Sequence, residues 1–384
     1  MKRRNSIIAA AAAVTTLPAL TALTALSGCG GSNSSSGSLL PAPGIAPLPA
    51  RLVIGHRGAS ALRPEHTLEA YAKAIDDGAD AIEPDLVSTQ DGVLVARHEN
   101  EISGTTNVAD KPEFAGRRIT RLIDNISTTG WFTEDFTLAE LQTLRAKERI
   151  PLNRPANSAF DGQFLVPTFQ AVMDLAKAKT LATGRTIAIY PETKHPSYFK
   201  SINLPLEKRL VDALAANGYQ DRSAPVFIQS FEVANLKEMR QLTELRLVQL
   251  LSSSGRPEDF RLSGDSRTYA DISSAAGLRE VARYANGIGP EKSMVIPRTA
   301  QNKLGTPTAL VADAHAAGLI VHPYTFRPEN PFLPADLRRG DTASPSGRGD
   351  LAAEITAYLR AGVDGFFTDD PAIGRAALDA FGKP

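Results

Sequence analysis

An α/β fold closed as a (β/α)8 barrel, with a small inserted subdomain, is expected from three features of the chain. Short apolar runs alternate with helical patterns from about residue 50 onward, the signature of a parallel sheet with crossover helices. The length of that alternation suits eight strands. Polar residues collect just after the apolar runs, where barrels of this kind build their active sites.

The strand candidates are 52–55, 81–87, 93–97, 186–190, 226–229, 245–250, 287–289, 319–323 and 365–367. Helical patterns separate most of them, at 67–77, 169–179, 205–217, 232–242 and 351–361. Nine candidates for eight places mean that one is peripheral or is not a strand. Between Val87 and Val93 no crossover helix fits, and Gln90-Asp91-Gly92 is a turn signal, so this pair is expected to be a hairpin. The stretch from about 100 to 163 shows no clear strand and carries Trp131, many charges and several prolines. It is too long for a plain loop and is read as an insertion capping the mouth of a catalytic barrel that spans 51–376.

The N-terminus has a different character. Lys2-Arg3-Arg4 precede an apolar, Ala-rich run that closes with Leu26-Ser27-Gly28-Cys29. A basic start and a small-residue-rich run describe a secretory signal over 1–28, not a membrane span. The closing residues resemble a bacterial lipobox, which makes Cys29, the sole cysteine, the expected lipidation site. Export to the periplasm or cell envelope as a lipoprotein follows, by the Sec or the twin-arginine route. Residues 29–50, Gly/Ser-rich and then Pro/Ala-rich, are expected to be a flexible tether with a reach on the order of 25 Å. The only contact with a membrane would be this anchor. Lys+Arg and Asp+Glu both number 42, so no net field draws the chain to nucleic acid. Phosphate binding must therefore be local. The oligomeric state is left open.

Glu83 and Asp85 lie two apart on a strand and point to one face. Two carboxylates pointing together repel, and burial raises the cost unless a cation sits between them. Glu192, from another strand end, adds a third. Such an all-oxygen set suits one divalent ion, Ca²⁺ or Mg²⁺, with Mn²⁺ also compatible. Lys194 and Arg57 are placed to meet phosphoryl oxygens. His56 and His98 end different strands and can face each other across a substrate, one as general base and the other as general acid. Each feature alone has a plainer reading: a solvated strand face, a hydrogen-bonded structural histidine, or a turn that needs a glycine. Their conjunction at four strand ends favours catalysis.

Gly55-His56-Arg57-Gly58-Ala59, Pro64-Glu65-His66-Thr67, Glu83-Pro84-Asp85-Leu86-Val87 and Asp91-Gly92 resemble the opening signature of the glycerophosphodiester phosphodiesterases. Tyr190-Pro191-Glu192-Thr193-Lys194, Ile228-Gln229-Ser230-Phe231-Glu232, the segment His322 to Arg327 and the segment Gly362 to Asp369 continue it. The resemblance is to the larger, exported branch of that family. It implies a TIM-type barrel that hydrolyses small-molecule glycerophosphodiesters to sn-glycerol 3-phosphate and an alcohol. It implies Glu83, Asp85 and Glu192 as metal ligands and His56 and His98 as the acid–base pair. Arg57 and Lys194 would contact phosphate, with Glu65 supporting the site. It also implies attack by the substrate's own glycerol hydroxyl through a cyclic phosphate. Two departures stand out: His66 where the family usually has Asn, and Glu99 where it has Asp. Tyr324 is expected to face the mouth and His322 to be packed at its strand end. Two other readings are carried: a phospholipase D-like or sphingomyelinase D-like enzyme acting on intact lipids, and a surface-anchored binding protein on the same barrel.

Overall fold

A computed structural model describes residues 44–383. The signal-like segment, Cys29 and the first part of the expected tether lie outside the described residues. Thirteen strands are present among the described residues: β1 Leu52–His56, β2 Ala81–Glu83, β3 Asp85–Ser88, β4 Leu94–Ala96, β5 Ile119–Ile123, β6 Ile126–Gly130, β7 Ala188–Ile189, β8 Glu192–Thr193, β9 Phe227–Ser230, β10 Arg246–Leu251, β11 Gly287–Pro290, β12 Ile320–Val321 and β13 Gly365–Thr368.

One expected run is broken by a proline, and another is followed by a proline after which a further strand starts. Pro84 has no amide proton to give a ladder, so the run over 81–87 divides into β2 and β3. β2 pairs with β1 and β7, while β3 pairs with β8 and, antiparallel, with β4. Pro191 divides β7 from β8 in the same way. Each divided pair counts as one stave of the barrel. The order is then β1, β2/β3, β7/β8, β9, β10, β11, β12 and β13, eight staves in all. The Ile189–Val226 bridge joins β7 to the start of β9. Asp364 N donates to Val321 O at 3.0 Å, Phe367 N donates to Pro323 O at 3.0 Å, and Phe326 bridges Thr368. These contacts carry the sheet from β12 to β13, which pairs with β1. The chain is therefore a TIM-type barrel, and β4 is the peripheral hairpin strand.

Alternation along each stave sorts the side chains. Val53, Ile82, Ile189, Ile228, Leu247 and Phe366 point outward into the large core beneath the helices. Leu52, Ile54, Ala81, Tyr190, Phe227 and Phe367 point inward and fill the barrel floor. Tyr190 and Phe227 stack there at 5.0 Å between ring centroids. The helix Leu68–Asp76 that follows β1 is capped by Thr67, whose hydroxyl accepts from Ala70 N, the usual means of satisfying a first-turn amide.

Two expectations change. The segment in which no clear strand was legible contains the β5–β6 hairpin; Ile119, Leu122 and Ile126 on it are exposed, so no buried stripe betrays it in the sequence. Other parts of the insertion enter the main core through Phe114, Trp131 and Phe136. The expected tether also ends earlier than Ala50. Ala46 N donates to Gly184 O at 2.8 Å and Ala46 O accepts from Thr186 N at 3.0 Å, while Leu48 packs on the barrel floor. Backbone pairing at the edge beside β7 holds these residues despite their unpatterned composition. No helix among the described residues is long and apolar enough to cross a membrane.

Candidate active site

The inward positions one step above the floor form the site. Ile54 is followed by His56, Ala81 by Glu83, Tyr190 by Glu192, Phe227 by Gln229 and Phe367 by Asp369. Strand register sets them beside one another: His56 lies opposite Glu83, Asp85 opposite Glu192, and Glu192 opposite Gln229. They open on a cleft of about 450 Å³ whose lining includes His56, His98, Glu83, Asp85 and Glu192.

The carboxylates of Glu83, Asp85 and Glu192 offer ligand atoms within 4.8 Å of one another, and all three residues are buried. Burial, then Asp85 and Glu192, push Glu83 well above the ordinary carboxylate range. Burial likewise drives Glu192 up to about 8, against the pull of Lys194, whose Nζ lies 2.8 Å from Glu192 Oε1. Asp85 moves the other way. Burial opposes its ionisation, yet His66, 2.9 Å from Asp85 Oδ2, together with Lys194 and His98, holds it well below the ordinary range. Asp85 Oδ1 has no hydrogen-bond partner despite complete burial. Glu83 receives only neutral donors, Arg57 N at 2.7 Å and Gln229 Nε2 at 3.0 Å. Repelling, partly unsatisfied oxygens of this kind fit a hard divalent cation. They would otherwise cost several kcal/mol per buried ion.

His56 Nδ1 lies 2.6 Å from Asp369 Oδ1, which leaves Nε2 toward Thr325 Oγ1 at 3.5 Å. Burial lowers this imidazole to about 4, against Asp369. His98 Nδ1 bonds Glu99, and its Nε2 lies 3.3 Å from Lys194 Nζ. Burial, then Arg57 and Lys194, lower His98 to about 3. Arg57 adopts φ 57° at the end of β1. Gly58 follows at φ 91°, where a Cβ would stand 2.6 Å from the Ala70 backbone. The turn thus requires its glycine and at the same time sets His56 and Arg57 at the cleft.

The structure brings His56, Arg57, Glu83, Asp85, His98, Glu192 and Tyr324 to one cleft. Lys194 reaches it through Glu192 and lines an adjoining hollow. Tyr324 donates its hydroxyl to Leu251 O at 3.1 Å. Glu65 stands behind the cleft lining, where its Oε2 accepts from Arg57 NH1 at 3.0 Å. His66 bonds Asp85 and, at 2.7 Å, Tyr71 OH, so the larger ring is fully used. Residues beyond the expected set are Asp369, Gln229, Thr325, Arg327, Arg149 and Arg154. Inward parity at the ends of β9 and β13 would have found Gln229 and Asp369. The two arginines lie in the insertion and carried no signal. His322 is packed as expected, its Nδ1 3.0 Å from Tyr190 OH, and His195 pairs with Asp124 of the β5–β6 turn at 2.6 Å.

The family model for the glycerophosphoryl diester phosphodiesterase family matches residues 56–373. The chain belongs to that family. A glycerophosphodiester phosphodiesterase of Arabidopsis thaliana is 36% identical over 329 residues, covering 82% of each chain. One of Haemophilus influenzae is 28% identical over 346 residues, covering 84% of this chain and 88% of its own. Among solved structures, an Oleispira antarctica phosphodiesterase in complex with the product sn-glycerol-3-phosphate has the same fold, with a TM-score of 0.53 and 19% identity over 86% of this chain and 97% of that one. This member of the family is an enzyme with its polar cluster at the barrel mouth.

Proposed function

We propose that the chain hydrolyses glycerophosphodiesters to sn-glycerol 3-phosphate and an alcohol, with His56 and His98 as the acid–base pair and Glu83, Asp85 and Glu192 holding one divalent cation. The observation that carries this reading is the meeting of three crowded carboxylates and two carboxylate-held imidazoles in one cleft. Named relatives act on glycerophosphodiesters, and the Oleispira antarctica neighbour binds the glycerol phosphate product.

A bound cation would offset charge on the non-bridging phosphoryl oxygens. Arg57 and Lys194 add donors to the same oxygens. One imidazole accepts the proton of the attacking hydroxyl as the new P–O bond forms. The other donates a proton to the departing alkoxide as the old P–O bond breaks. Both keep Nδ1 on a carboxylate, so Nε2 is the atom that handles protons. The anionic diester itself favours the protonated state of the imidazole that serves as acid.

The deciding experiment is turnover of glycerophosphocholine, glycerophosphoethanolamine and glycerophosphoinositol after chelation and re-addition of Ca²⁺, Mg²⁺ or Mn²⁺, with lysophosphatidylcholine alongside. Cation-dependent release of glycerol 3-phosphate is expected. Faster turnover of the lysolipid would move the assignment to intact lipids, and no hydrolysis of any member would leave a binding protein.

Export as a lipoprotein is proposed on the sequence alone, from Lys2-Arg3-Arg4, the apolar run and Leu26-Ser27-Gly28-Cys29. Radiolabelled palmitate is expected to enter the wild-type protein in a bacterial host and not Cys29→Ser; equal labelling would sink the idea.

A further inference from the structure

The two proposed catalytic histidines are held by parallel chains of contacts that start in the insertion. On one side, His98 Nδ1 bonds Glu99 Oε1, and Glu99 Oε2 accepts from Arg149 NH1 at 2.7 Å. The rest of that guanidinium forks onto Glu65, at 2.9 Å from Nε and 2.6 Å from NH2, and Glu65 in turn holds Arg57. On the other side, His56 Nδ1 meets Asp369 Oδ1 at 2.6 Å, and Arg154 NH2 binds Asp369 Oδ2. Arg154 is itself locked, Nε on Glu329 at 2.7 Å and NH1 on Ser60 O at 2.8 Å.

We propose that Arg149 and Arg154 are positioning residues for catalysis, and that the inserted segment is through them a working part of the site. The proposal rests on the acid–base reading given above. Its logic is tautomeric. A carboxylate facing Nδ1 keeps the ring proton there and turns the Nε2 lone pair to the cleft. A carboxylate with no second partner is free to rotate or to take the proton itself; Arg149 removes that freedom at Glu99, and Arg154, with Arg327 Nε 3.2 Å from the same oxygen, removes it at Asp369. Glu99 presents one oxygen to the imidazole and the other to Arg149. Every hydrogen bond found for the Arg149 side chain goes to a carboxylate that holds a site residue, which is not the pattern of a fold staple.

The test uses the full chain with saturating Mg²⁺, glycerophosphocholine as substrate, and Tm measured beside kcat and KM. Arg149→Met is expected to keep its Tm near wild type and to lower kcat by about ten- to a hundredfold, with KM raised because Glu65, which holds Arg57, loses its second partner. Arg149→Lys should recover part of the loss. Arg154→Met should lower kcat with KM unchanged; if that variant does not fold, the Arg149 series decides alone. In a Glu99→Gln background, Arg149→Met should cost far less than in wild type, since both act through one imidazole. Wild-type kcat in Arg149→Met, or losses that multiply fully in the double variant, would overturn the proposal. His98→Ala separates the two levels: if it stays active, the acid–base reading fails; if it is dead while Arg149→Met is normal, only the positioning role fails.

Discussion

The floor and the mouth of this barrel differ by one inward step along each stave, yet they obey different physics. Tyr190, Phe227 and Phe367 fill the floor by packing, with Tyr190 at 5.0 Å from each of the other two rings. Two residues later the same staves carry Glu192, Gln229 and Asp369, which are held by paired charges and hydrogen bonds. The contrast is sharpest between two histidines. His322 on the floor and His56 at the mouth are both lowered to about 4, chiefly by burial. His322 faces Tyr190 and the Gly365 backbone, where an added Cβ would stand 2.9 Å from its ring. His56 faces a carboxylate on one side and the cleft on the other. A depressed histidine is therefore no mark of catalysis; a carboxylate behind it and open space before it are.

The largest effects should separate the two layers outright. His56→Ala and His98→Ala are each expected to lower kcat about a hundred- to ten-thousandfold while circular dichroism and Tm stay near wild type. Normal turnover by either variant with metal bound would erase the functional half of the contrast. Chelation should abolish turnover and also lower Tm, because three crowded carboxylates lose their counter-charge and a native-state ligand is withdrawn. Activity that survives exhaustive chelation would remove the cation from the mouth.

The floor should answer in stability alone. Tyr190→Phe leaves His322 Nδ1 without its partner in a buried setting, a cost of about 1–3 kcal/mol. Denaturant unfolding should show that loss with kcat changed little. A large kcat loss at full stability would mean the floor takes part in chemistry.

The smallest expected effect lies at the rim. Burial pushes Glu232 from 4.5 up to about 8, despite hydrogen bonds from Ser197. A folded-state value above the unfolded one means the native state holds the proton longer. Its stabilising contribution is complete below about pH 4.5 and is lost as pH rises through about 8. In metal-saturated protein, Tm of Glu232→Gln should accordingly fall less between pH 5 and 8, on the order of one proton's linkage, than Tm of wild type. Parallel Tm curves would show that Glu232 is ionised throughout.

Much of this was legible in the chain. Short apolar runs and their spacing point to the staves, and Glu83 with Asp85 must share a face once they lie on one strand. Pro84 leaves that parity intact while it reassigns hydrogen-bond partners. The β5–β6 hairpin was not legible, because its apolar side chains stay exposed and its alternation has no core to answer to. The docking of Ala46 and Leu48 was hidden for the related reason that backbone pairing leaves no compositional trace.

By itself the sequence determined which residues stand at the strand ends and which chemistry they are capable of, because side-chain parity and donor type are local properties. Only the tertiary structure decided the partnerships: Asp369 behind His56, Glu99 and Arg149 behind His98, and an orphaned Asp85 oxygen among three carboxylates. Those depend on barrel closure and on where an irregular insertion lands. Both bring together groups up to several hundred residues apart, and no local pattern records that distance.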